Sequence, residues 1–386
     1  MPLTGLERWI EAQERFDGLR STALAAGGAR FCDLAYANAW GGPNDEVRAI
    51  LRAAAESSGE LDLQYTPYGG AVTSRRHAAQ ALARRTGLPF KHDHVVLTPG
   101  AMSALSLSVR AFREGGNVVI PTPTWLDHPL YVAMHRHEPR LVPLRDDFAL
   151  DLEALAAAID EETHAVILTC PGNPTGHLFG EDELRALAEV LCSAPRAANA
   201  PPPLLVSDEC HRDYVPADRS FLSPARFYDR TAVIYSYGKR FLVQGQRLGY
   251  VAVSPRHPEA AALVAALRRL ARAGGFGTPT ALMQLALPDL EALAPAVEGV
   301  LARKERTRAA LVEAGLETRG DATMFLYVRC ADDWAATTAL AKRGVLVLPA
   351  AIFHHHGWLR ITASARDDML ERGIEHLVAV LREEVA

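Results

Sequence analysis

Short apolar runs recur through the middle of the chain, and each is followed by a turn-rich segment and then by residues with helical spacing. The clearest runs cover residues 95–98, 118–120, 165–169, 204–207 and 232–234. Apolar runs that alternate with helices are typical of a parallel sheet covered by helices on both faces. The pattern therefore predicts an α/β fold, in which ligands bind at the carboxyl ends of the strands.

Helical spacing of apolar residues predicts where the helices lie. Residues 4–16 form an amphipathic arm that must pack on another part of the chain. The predicted helices that follow the arm cover residues 44–55 with Asn44 as the cap, 72–86, 101–113, 181–192 and 259–273. A segment at residues 278–287 comes next, and then a long helix that runs to about residue 313. One further strand is predicted at residues 250–253.

The last part of the chain has the pattern of a smaller α+β unit. Strands are predicted at residues 325–328, 345–348 and 359–361, and helices near residues 333–343 and 367–384. The predicted division is an N-terminal arm with part of the small domain over residues 1–45, a large domain over residues 46–275, and a C-terminal small domain over residues 276–386.

Composition narrows the classes of function. Of 386 residues 49% are hydrophobic and 23% charged, and the net charge is −5, as is ordinary for a globular protein. No Lys/Arg run is long enough to follow a nucleic-acid backbone, so no nucleic-acid partner is expected. The charged N-terminus and the lack of a long apolar run predict neither a signal peptide nor a membrane span. The five cysteines are widely spread without C-x-x-C spacing, which argues against a disulfide framework or a zinc site and favours a reducing, cytoplasmic setting.

Candidate chemistry begins at Lys239, which stands where the run at residues 232–234 ends and a loop is predicted. Desolvation favours a neutral lysine amine, and a neutral amine attacks a carbonyl carbon to form a Schiff base. Arg247, in a segment bracketed by glycines, offers a fork of donors to a phosphate. At Gly100 a strand gives way to a helix, whose first N–H groups form an anion site. A solvated lysine is the ordinary alternative for a lysine at a strand end.

Several motifs occur in a fixed order from about residue 34 to residue 381. They include Tyr-x-Pro-x-x-Gly at 65–70, Asn-Pro-Thr-Gly at 173–176, Ser-x-x-Lys at 236–239 and Trp-Leu-Arg-Ile-Thr at 358–362. Together they resemble the class I/II aminotransferase family of fold type I enzymes, which use pyridoxal 5′-phosphate (PLP). The resemblance implies a large domain with a mostly parallel sheet covered by helices, a smaller α+β domain, and PLP as the cofactor.

The resemblance also implies a role for each motif residue. Lys239 matches the Schiff-base lysine that moves the substrate's proton, and Asp208 matches the carboxylate that pairs with the pyridinium nitrogen. Arg360 matches the arginine that binds the substrate's α-carboxylate. The other matching residues are Gly100, Ala101, Met102, Ser236 and Arg247 for the phosphate, Trp125 for stacking on the ring, and Asn173 for the phenolic oxygen and the substrate. Tyr65 matches a tyrosine that reaches the phosphate of the neighbouring subunit, which implies a homodimer with shared active sites.

Taken singly, these residues have simpler interpretations. The Asn173 motif is a common turn, Asp208 is a possible helix cap, and Trp125 is a possible core residue. The ordinary alternative for Arg360 is a surface ion pair. Their occurrence together and in order is what favours the cofactor site.

The sequence departs from the family pattern at His211, three residues after Asp208, where a tyrosine usually donates to the phenolic oxygen. An imidazole donates the same bond, so His211 is assigned a catalytic role, with a charge expected to change near neutral pH. The Asp-Glu-x-His pattern is also similar to the cystathionine β-lyase branch of the fold. Gly238 replaces a frequent serine. His354, His355 and His356 are interpreted first as a solvated loop, second as a segment with a pocket-lining histidine, and last as a metal site. No metal is expected.

The leading functional interpretation is an aminotransferase that passes the α-amino group of an amino acid to a keto acid. Two alternatives share its first steps, namely a C–S β-lyase acting on an S-substituted cysteine and a decarboxylating enzyme. Motifs that bind PLP do not choose among these reactions. A non-catalytic PLP-sensing domain is the remaining alternative, but it requires a helix-turn-helix module ahead of the cofactor domain, where only a short arm precedes Leu34.

Overall fold

Two main sheets organise the chain in the computed structural model, which describes residues 5–198, 200–275 and 277–383. The strands, in chain order, are β1 (Cys32–Asp33), β2 (Val95–Thr98), β3 (Asn117–Thr122), β4 (Glu138–Pro143), β5 (Thr163–Thr169), β6 (Leu204–Asp208), β7 (Thr231–Ser236), β8 (Gly249–Val253), β9 (Thr318–Arg319), β10 (Phe325–Arg329), β11 (Val345–Leu346), β12 (Leu348–Pro349) and β13 (Trp358–Thr362). The predicted apolar runs all lie within strands of the larger sheet.

The helices alternate with the strands along much of the chain. They are α1 (Glu7–Gly27), α2 (Asp45–Glu56), α3 (Val72–Thr86), α4 (Ala101–Arg110), α5 (Asp127–Met134), α6 (Leu152–Ala158), α7 (Glu181–Ser193), α8 (Tyr237–Arg240), α9 (Ala260–Ala273), α10 (Ala281–Ala292), α11 (Glu298–Glu313), α12 (Asp333–Lys342) and α13 (Asp367–Glu383). Asn44 caps α2 as predicted, because its Oδ1 accepts a hydrogen bond from the Val47 amide at 3.0 Å. None of the helices in these described segments is both long and apolar enough to cross a bilayer.

The larger sheet has seven strands in the order β2-β8-β7-β6-β5-β3-β4. Strands β3 to β7 pair in parallel, whereas β8 runs antiparallel to both β2 and β7. Apolar clusters cover both faces, with α3 and α10 on one face and α4 and α9 on the other. Fully buried residues such as Val96, Ile120 and Val206 each stabilise the fold by about 1.5–3 kcal/mol. The predicted α/β fold with a mostly parallel sheet is confirmed.

The smaller unit joins the two ends of the described chain. Its antiparallel sheet has the order β12-β13-β10-β9, and β1 pairs in parallel with β11. One apolar cluster contains Cys32 and Leu34 near the N-terminus together with Leu326 and Leu377. The division at residues 45 and 275 stays a prediction; α10, which it assigned to the small domain, packs mainly on α2 and α3.

Several local predictions need correction. The segment predicted at residues 278–287 extends to residue 292 as α10, and the long helix predicted after it is α11, which begins at Glu298. The strand predicted at residues 345–348 is divided between two sheets as β11 and β12. Strand β4 was not predicted because its sequence is polar, contains proline and has no apolar run. An edge strand such as β4 tolerates these residues. The predicted ends at residues 4 and 384, and the outermost residues of the predicted domains, lie outside the described residues.

Candidate active site

A cavity of about 390 Å³ lies at the carboxyl ends of β6 and β7 and reaches β13 of the small sheet. This is the position predicted for a ligand in an α/β sheet. The predicted site residues that line it are Ala101, Met102, Trp125, Asn173, Asp208, His211, Ser236, Lys239, Arg247 and Arg360. Gly100 directly precedes this lining at the start of α4, and Tyr65 lies outside the cavity.

Lys239 lies on the first turn after β7, in the short helix α8 rather than in the loop predicted from the sequence. The Tyr214 hydroxyl donates a hydrogen bond of 2.8 Å to the Lys239 carbonyl oxygen and so fixes this turn. Burial lowers the pKa of Lys239 to about 8, and the cations Arg360 and Arg247 act in the same direction. A larger fraction of its amine is therefore neutral and nucleophilic near neutral pH than for an exposed lysine.

The start of α4 and Arg247 form a cradle for an anion. Gly100 has φ of 85°, and a Cβ at this position would collide with the Arg247 guanidinium. Glycine therefore allows Arg247 to approach the backbone at the helix N-terminus. Arg247 is held from the other side because its Nη1 donates to the Gln244 carbonyl oxygen at 2.7 Å. A helix N-terminus, a guanidinium and the Ser236 hydroxyl at the same cavity suit a phosphate dianion.

Asp208 ends β6 and faces His128 on α5. His128 Nε2 lies 3.5 Å from Asp208 Oδ2, and its Nδ1 lies 2.9 Å from Thr124 Oγ1. Burial on its own raises the pKa of Asp208, but interactions with His128 and Cys210 outweigh it and lower that pKa below the ordinary value. Asp208 is therefore a carboxylate at neutral pH, as pairing with a pyridinium nitrogen requires.

His211 is buried, and the structure corrects the expectation that its charge changes near neutral pH. Burial and the nearby Lys239 cation lower the pKa of His211 well below its ordinary value. Its ring packs edge-on against Phe325 with centroids 5.1 Å apart, and Nδ1 is buried without a hydrogen-bond partner. His211 is thus a neutral imidazole at the cavity wall.

Arg360 is buried in the middle of β13 and bridges the two units. Its Nη1 donates to Asn173 Oδ1 at 2.9 Å and its Nη2 to the Ala35 carbonyl oxygen at 2.8 Å, while Nε is buried without a partner. The guanidinium carbon lies 3.9 Å from the centre of the Phe325 ring. Burial lowers the pKa of Arg360 to about 9. A buried cation with a free N–H, at the wall of a cavity, suits a carboxylate ligand.

The roles predicted for Trp125 and Tyr65 are not tested by the structure of a single chain. Trp125 lines the cavity and packs with the cluster around Phe16 and Phe353, so it serves the core as well as the cavity wall. Tyr65 is fully exposed at 104% of its reference surface. Their stacking and intersubunit roles stay predictions.

Sequence reasoning missed two residues of the site. His128, three residues after Trp125, lines the cavity and lies next to Asp208. Phe325 contacts both Arg360 and His211, but the sequence marks it only as a residue of a predicted strand. The three-histidine segment also differs from the solvated loop expected: His355 Nδ1 lies 3.0 Å from the Tyr327 hydroxyl, His354 packs against Trp9, and only His356 is largely exposed.

Comparisons of the sequence identify relatives along nearly the whole chain. The model of the family "Aminotransferase class I and II" matches residues 33–377. A probable aspartate/prephenate aminotransferase of Aquifex aeolicus is 26% identical over 361 residues, which are 88% of each chain. A histidinol-phosphate aminotransferase of Rhodococcus opacus is 30% identical over 325 residues, covering 83% of this chain and 81% of the relative.

Solved structures show the same fold. An aminotransferase from Eubacterium rectale superposes with a TM-score of 0.89 over 100% of both chains at 22% identity. N-succinyldiaminopimelate aminotransferase from Mycobacterium tuberculosis has a TM-score of 0.82 at 26% identity, over 95% of this chain and 97% of the other. The family match and the cavity around Lys239 agree, and the protein belongs to the class I and II aminotransferases, which depend on PLP.

Proposed function

We propose that this aminotransferase carries out its reaction in the cavity around Lys239, with the α-amino group of an amino acid passing to a keto acid. One observation supports this most strongly. Lys239, whose pKa is lowered, lines the same cavity as the anionic Asp208 and as Arg360, which has a free, buried Nε. An amine, an anion and a carboxylate-binding cation at one place are what chemistry at an amino acid's α-carbon requires.

The residues present fit PLP. The cradle of Gly100, Ala101, Met102, Ser236 and Arg247 suits its phosphate, Trp125 suits its ring face, and Asp208 suits its ring nitrogen. Asn173 and His211 suit its phenolic oxygen, because both side chains have N–H donors. PLP, when bound, supplies an electrophilic carbon for the amine and an electron sink for the bond that breaks at the substrate's α-carbon.

The chain's own residues position the substrate and move its proton. Arg360 binds the α-carboxylate through Nε, and this anion compensates a cation that burial makes costly. Lys239 Nζ is the base that accepts the proton from the substrate's α-carbon and the acid that gives it back. Asp208, which His128 keeps anionic, stabilises a positive charge next to its carboxylate. Neutral His211 donates a hydrogen bond without adding a second cation beside Lys239.

The Asp208-x-x-His211 pattern favours one further candidate, a C–S β-lyase. That reaction uses the same proton transfer at Lys239 and then loses a thiolate from the substrate's β-carbon. Decarboxylation differs in that the carboxylate held by Arg360 is lost. The relatives compared above are named as aminotransferases, which favours transamination.

A half-reaction distinguishes these candidates. The holoenzyme is mixed with aspartate, aromatic amino acids, histidinol phosphate or S-substituted cysteines, without any keto acid, while the cofactor spectrum and the products are followed. We expect conversion to pyridoxamine 5′-phosphate with one keto product released per site, which is a keto acid for each amino acid and a keto phosphate for histidinol phosphate. Continuing release of ammonia with a thiol, or of carbon dioxide, with return of the original spectrum would contradict transamination. Lys239→Ala, which lacks the amine, serves as the inactive control.

We also propose that the enzyme is a homodimer with shared sites. The segment of residues 61–72 exposes a group of large apolar side chains that a monomer would leave in water. They are Leu61, Leu63, Tyr65, Tyr68 and Val72. A second copy of the chain is the proposed partner, since Tyr65 matches a residue that acts across such an interface.

We propose a reducing, cytoplasmic setting for the enzyme. The support is the odd number and wide spacing of its cysteines, which gives no disulfide framework in the sequence. Fractionation of the native cells with detection of the untagged protein tests this proposal.

A further inference from the structure

Lys304 is a fully buried lysine outside the cavity, on α11 of the small unit. Its Nζ donates to three backbone carbonyl oxygens, those of Asp321 at 3.3 Å, Ala322 at 2.9 Å and Thr323 at 3.0 Å. An ammonium group has three N–H donors and no acceptor, so these three oxygens satisfy it completely. Lys304 therefore ties one loop, residues 321–323, to α11.

The charge state of Lys304 depends on two opposing effects. Burial lowers the pKa of Lys304 to about 7, and the Arg308 cation acts in the same direction, whereas Glu305 and Asp321 oppose it. The three carbonyl oxygens also favour the ammonium form, because a neutral amine has only two N–H donors for three acceptors. The contact geometry is that of the ammonium form.

The loop held by Lys304 contacts the two turns that carry the proposed catalytic groups. The Ala322 amide donates to the Gly176 carbonyl oxygen at 2.8 Å, and Gly176 ends the turn that begins at Asn173. A Cβ at Gly176 would collide with the backbone of Gly320, so glycine permits this close approach. The two elements therefore form a tight backbone joint between the small unit and the large one.

The second contact leads to Lys239. The Thr323 amide donates to the Tyr214 carbonyl oxygen at 2.8 Å, and the Tyr214 hydroxyl in turn donates to the Lys239 carbonyl oxygen at 2.8 Å. Thr323 has φ of 66°, a conformation that β-branched residues rarely adopt without surrounding contacts. Two residues further on, Phe325 packs on Arg360. The loop thus touches the surroundings of Lys239, Asn173 and Arg360.

We propose that Lys304 is a positioning residue for the active site, whose ammonium group holds residues 321–323 against Gly176 and Tyr214. This inference rests on the proposed roles of Lys239, Asn173 and Arg360. Without the cation, the carbonyl oxygens of the buried residues Ala322 and Thr323 lose this donor, as does that of the exposed Asp321, and the loop gains freedom to leave both turns. The catalytic groups would then keep their chemistry but lose their relative placement.

The test replaces Lys304 by methionine, which keeps the length and apolar stem of the side chain but removes the donors. We expect kcat to fall about 10- to 100-fold, because misplacement of about 1 Å has effects of this size, while PLP binding to the apoenzyme stays close to wild type. Hydrogen exchange of the holoenzyme should become faster in the turns at residues 173–176 and 211–214 as well as in the loop. Lys342→Met, which alters an exposed lysine of the same unit, should match wild type in all three measurements.

A purely structural role gives a different result. In that case Lys304→Met lowers the melting temperature, but kcat per folded holoenzyme and exchange in the two turns stay at wild-type values, and the proposal is wrong. If the methionine variant does not accumulate, Lys304→Arg is used; it keeps the cation but cannot place three donors of one nitrogen, so the same changes are expected at smaller size. Exchange and PLP binding are measured without turnover, so an error in the role of Lys239 would not produce the same outcome.

Discussion

Arg360 and Asn173 form a hydrogen bond of 2.9 Å that joins β13 of the small unit to the turn after β5 of the large one. A guanidinium group can only donate, so the Asn173 atom that faces it is the carbonyl oxygen of the amide. The amide NH₂ group of Asn173 is therefore left as the donor for a ligand. The same contact fixes Nη1 of Arg360, whereas its Nε is buried without a hydrogen-bond partner.

Asn173→Asp tests this relationship with almost no change in shape. A carboxylate at position 173 pairs with Arg360 as an ion pair and competes with the substrate's carboxylate, and it also lacks the N–H donor. We expect KM for the amino acid to rise about 10-fold or more, with a smaller loss of kcat, from steady-state kinetics. Asn38→Asp, at an exposed position outside the cavity, is the matched control. An unchanged KM would show that Arg360 does not receive the substrate.

The lowered pKa of Lys239 predicts how fast apoenzyme attaches PLP at different pH. The neutral amine is the reactive form, so the attachment rate should rise about tenfold per pH unit up to the pKa, which lies at about 8, and level off above it. An amine of ordinary pKa would keep rising to above pH 10. Stopped-flow absorbance of apoenzyme with PLP measures the profile. A simple alkylamine under the same conditions corrects for titration of PLP itself, and a profile that parallels the alkylamine would contradict a lowered pKa.

His211 is expected to act as a neutral donor, and two substitutions separate that role from charge. His211→Asn keeps an N–H donor that cannot titrate, whereas His211→Phe keeps a flat ring without a donor. We expect the asparagine variant to retain kcat/KM within about 10-fold of wild type and the phenylalanine variant to lose about 100-fold. Because the pKa of His211 already lies well below its ordinary value, the acid limb of the pH profile should be the same in wild type and His211→Asn. A limb near pH 6.5 that disappears in the asparagine variant would show that His211 titrates.

That Lys239, Asp208 and Asn173 line one cavity was predictable, because each is next to a recognisable turn. Lys239 follows an apolar strand, Asp208 ends another, and Asn173 lies in a turn motif, so local sequence and strand order bring them to one edge of the sheet. The arrangement around them was not predictable. The contact of His128 with Asp208 depends on how α5, which has no strong sequence pattern, packs on α4, β3 and β4.

Long-range contacts explain the other omissions. Tyr214 reaches the backbone of Lys239, and Lys304 reaches the loop at residues 321–323, through tertiary packing that no spacing in the sequence reveals. In the same way, His354 and His355 have the polar composition of a loop, yet packing against Trp9 and Tyr327 leaves each of them only partly exposed. Composition predicts the element, while the neighbours of each side chain decide its burial.

Tyr65 provides the sharpest test of shared sites, because it is fully exposed on one chain and lies outside that chain's cavity. Tyr65→Phe should weaken PLP retention and lower activity at limiting PLP, since a hydroxyl donor to the phosphate is lost. Lys239→Ala should be inactive in both sites of its own dimer. A heterodimer of the two variants would combine Lys239 from one chain with Tyr65 from the other, and one of its two sites would be wild type.

Activity of the purified heterodimer at limiting PLP is the deciding measurement. If Tyr65 acts across the interface, the heterodimer should reach about half the activity of the wild-type dimer, because only one of its sites is complete. If Tyr65 acts within its own chain, the single site with a lysine lacks the hydroxyl, and activity would be only half that of the Tyr65→Phe dimer. Tyr68→Phe in place of Tyr65→Phe is the matched control, since Tyr68 is exposed in the same segment and should leave PLP retention unchanged.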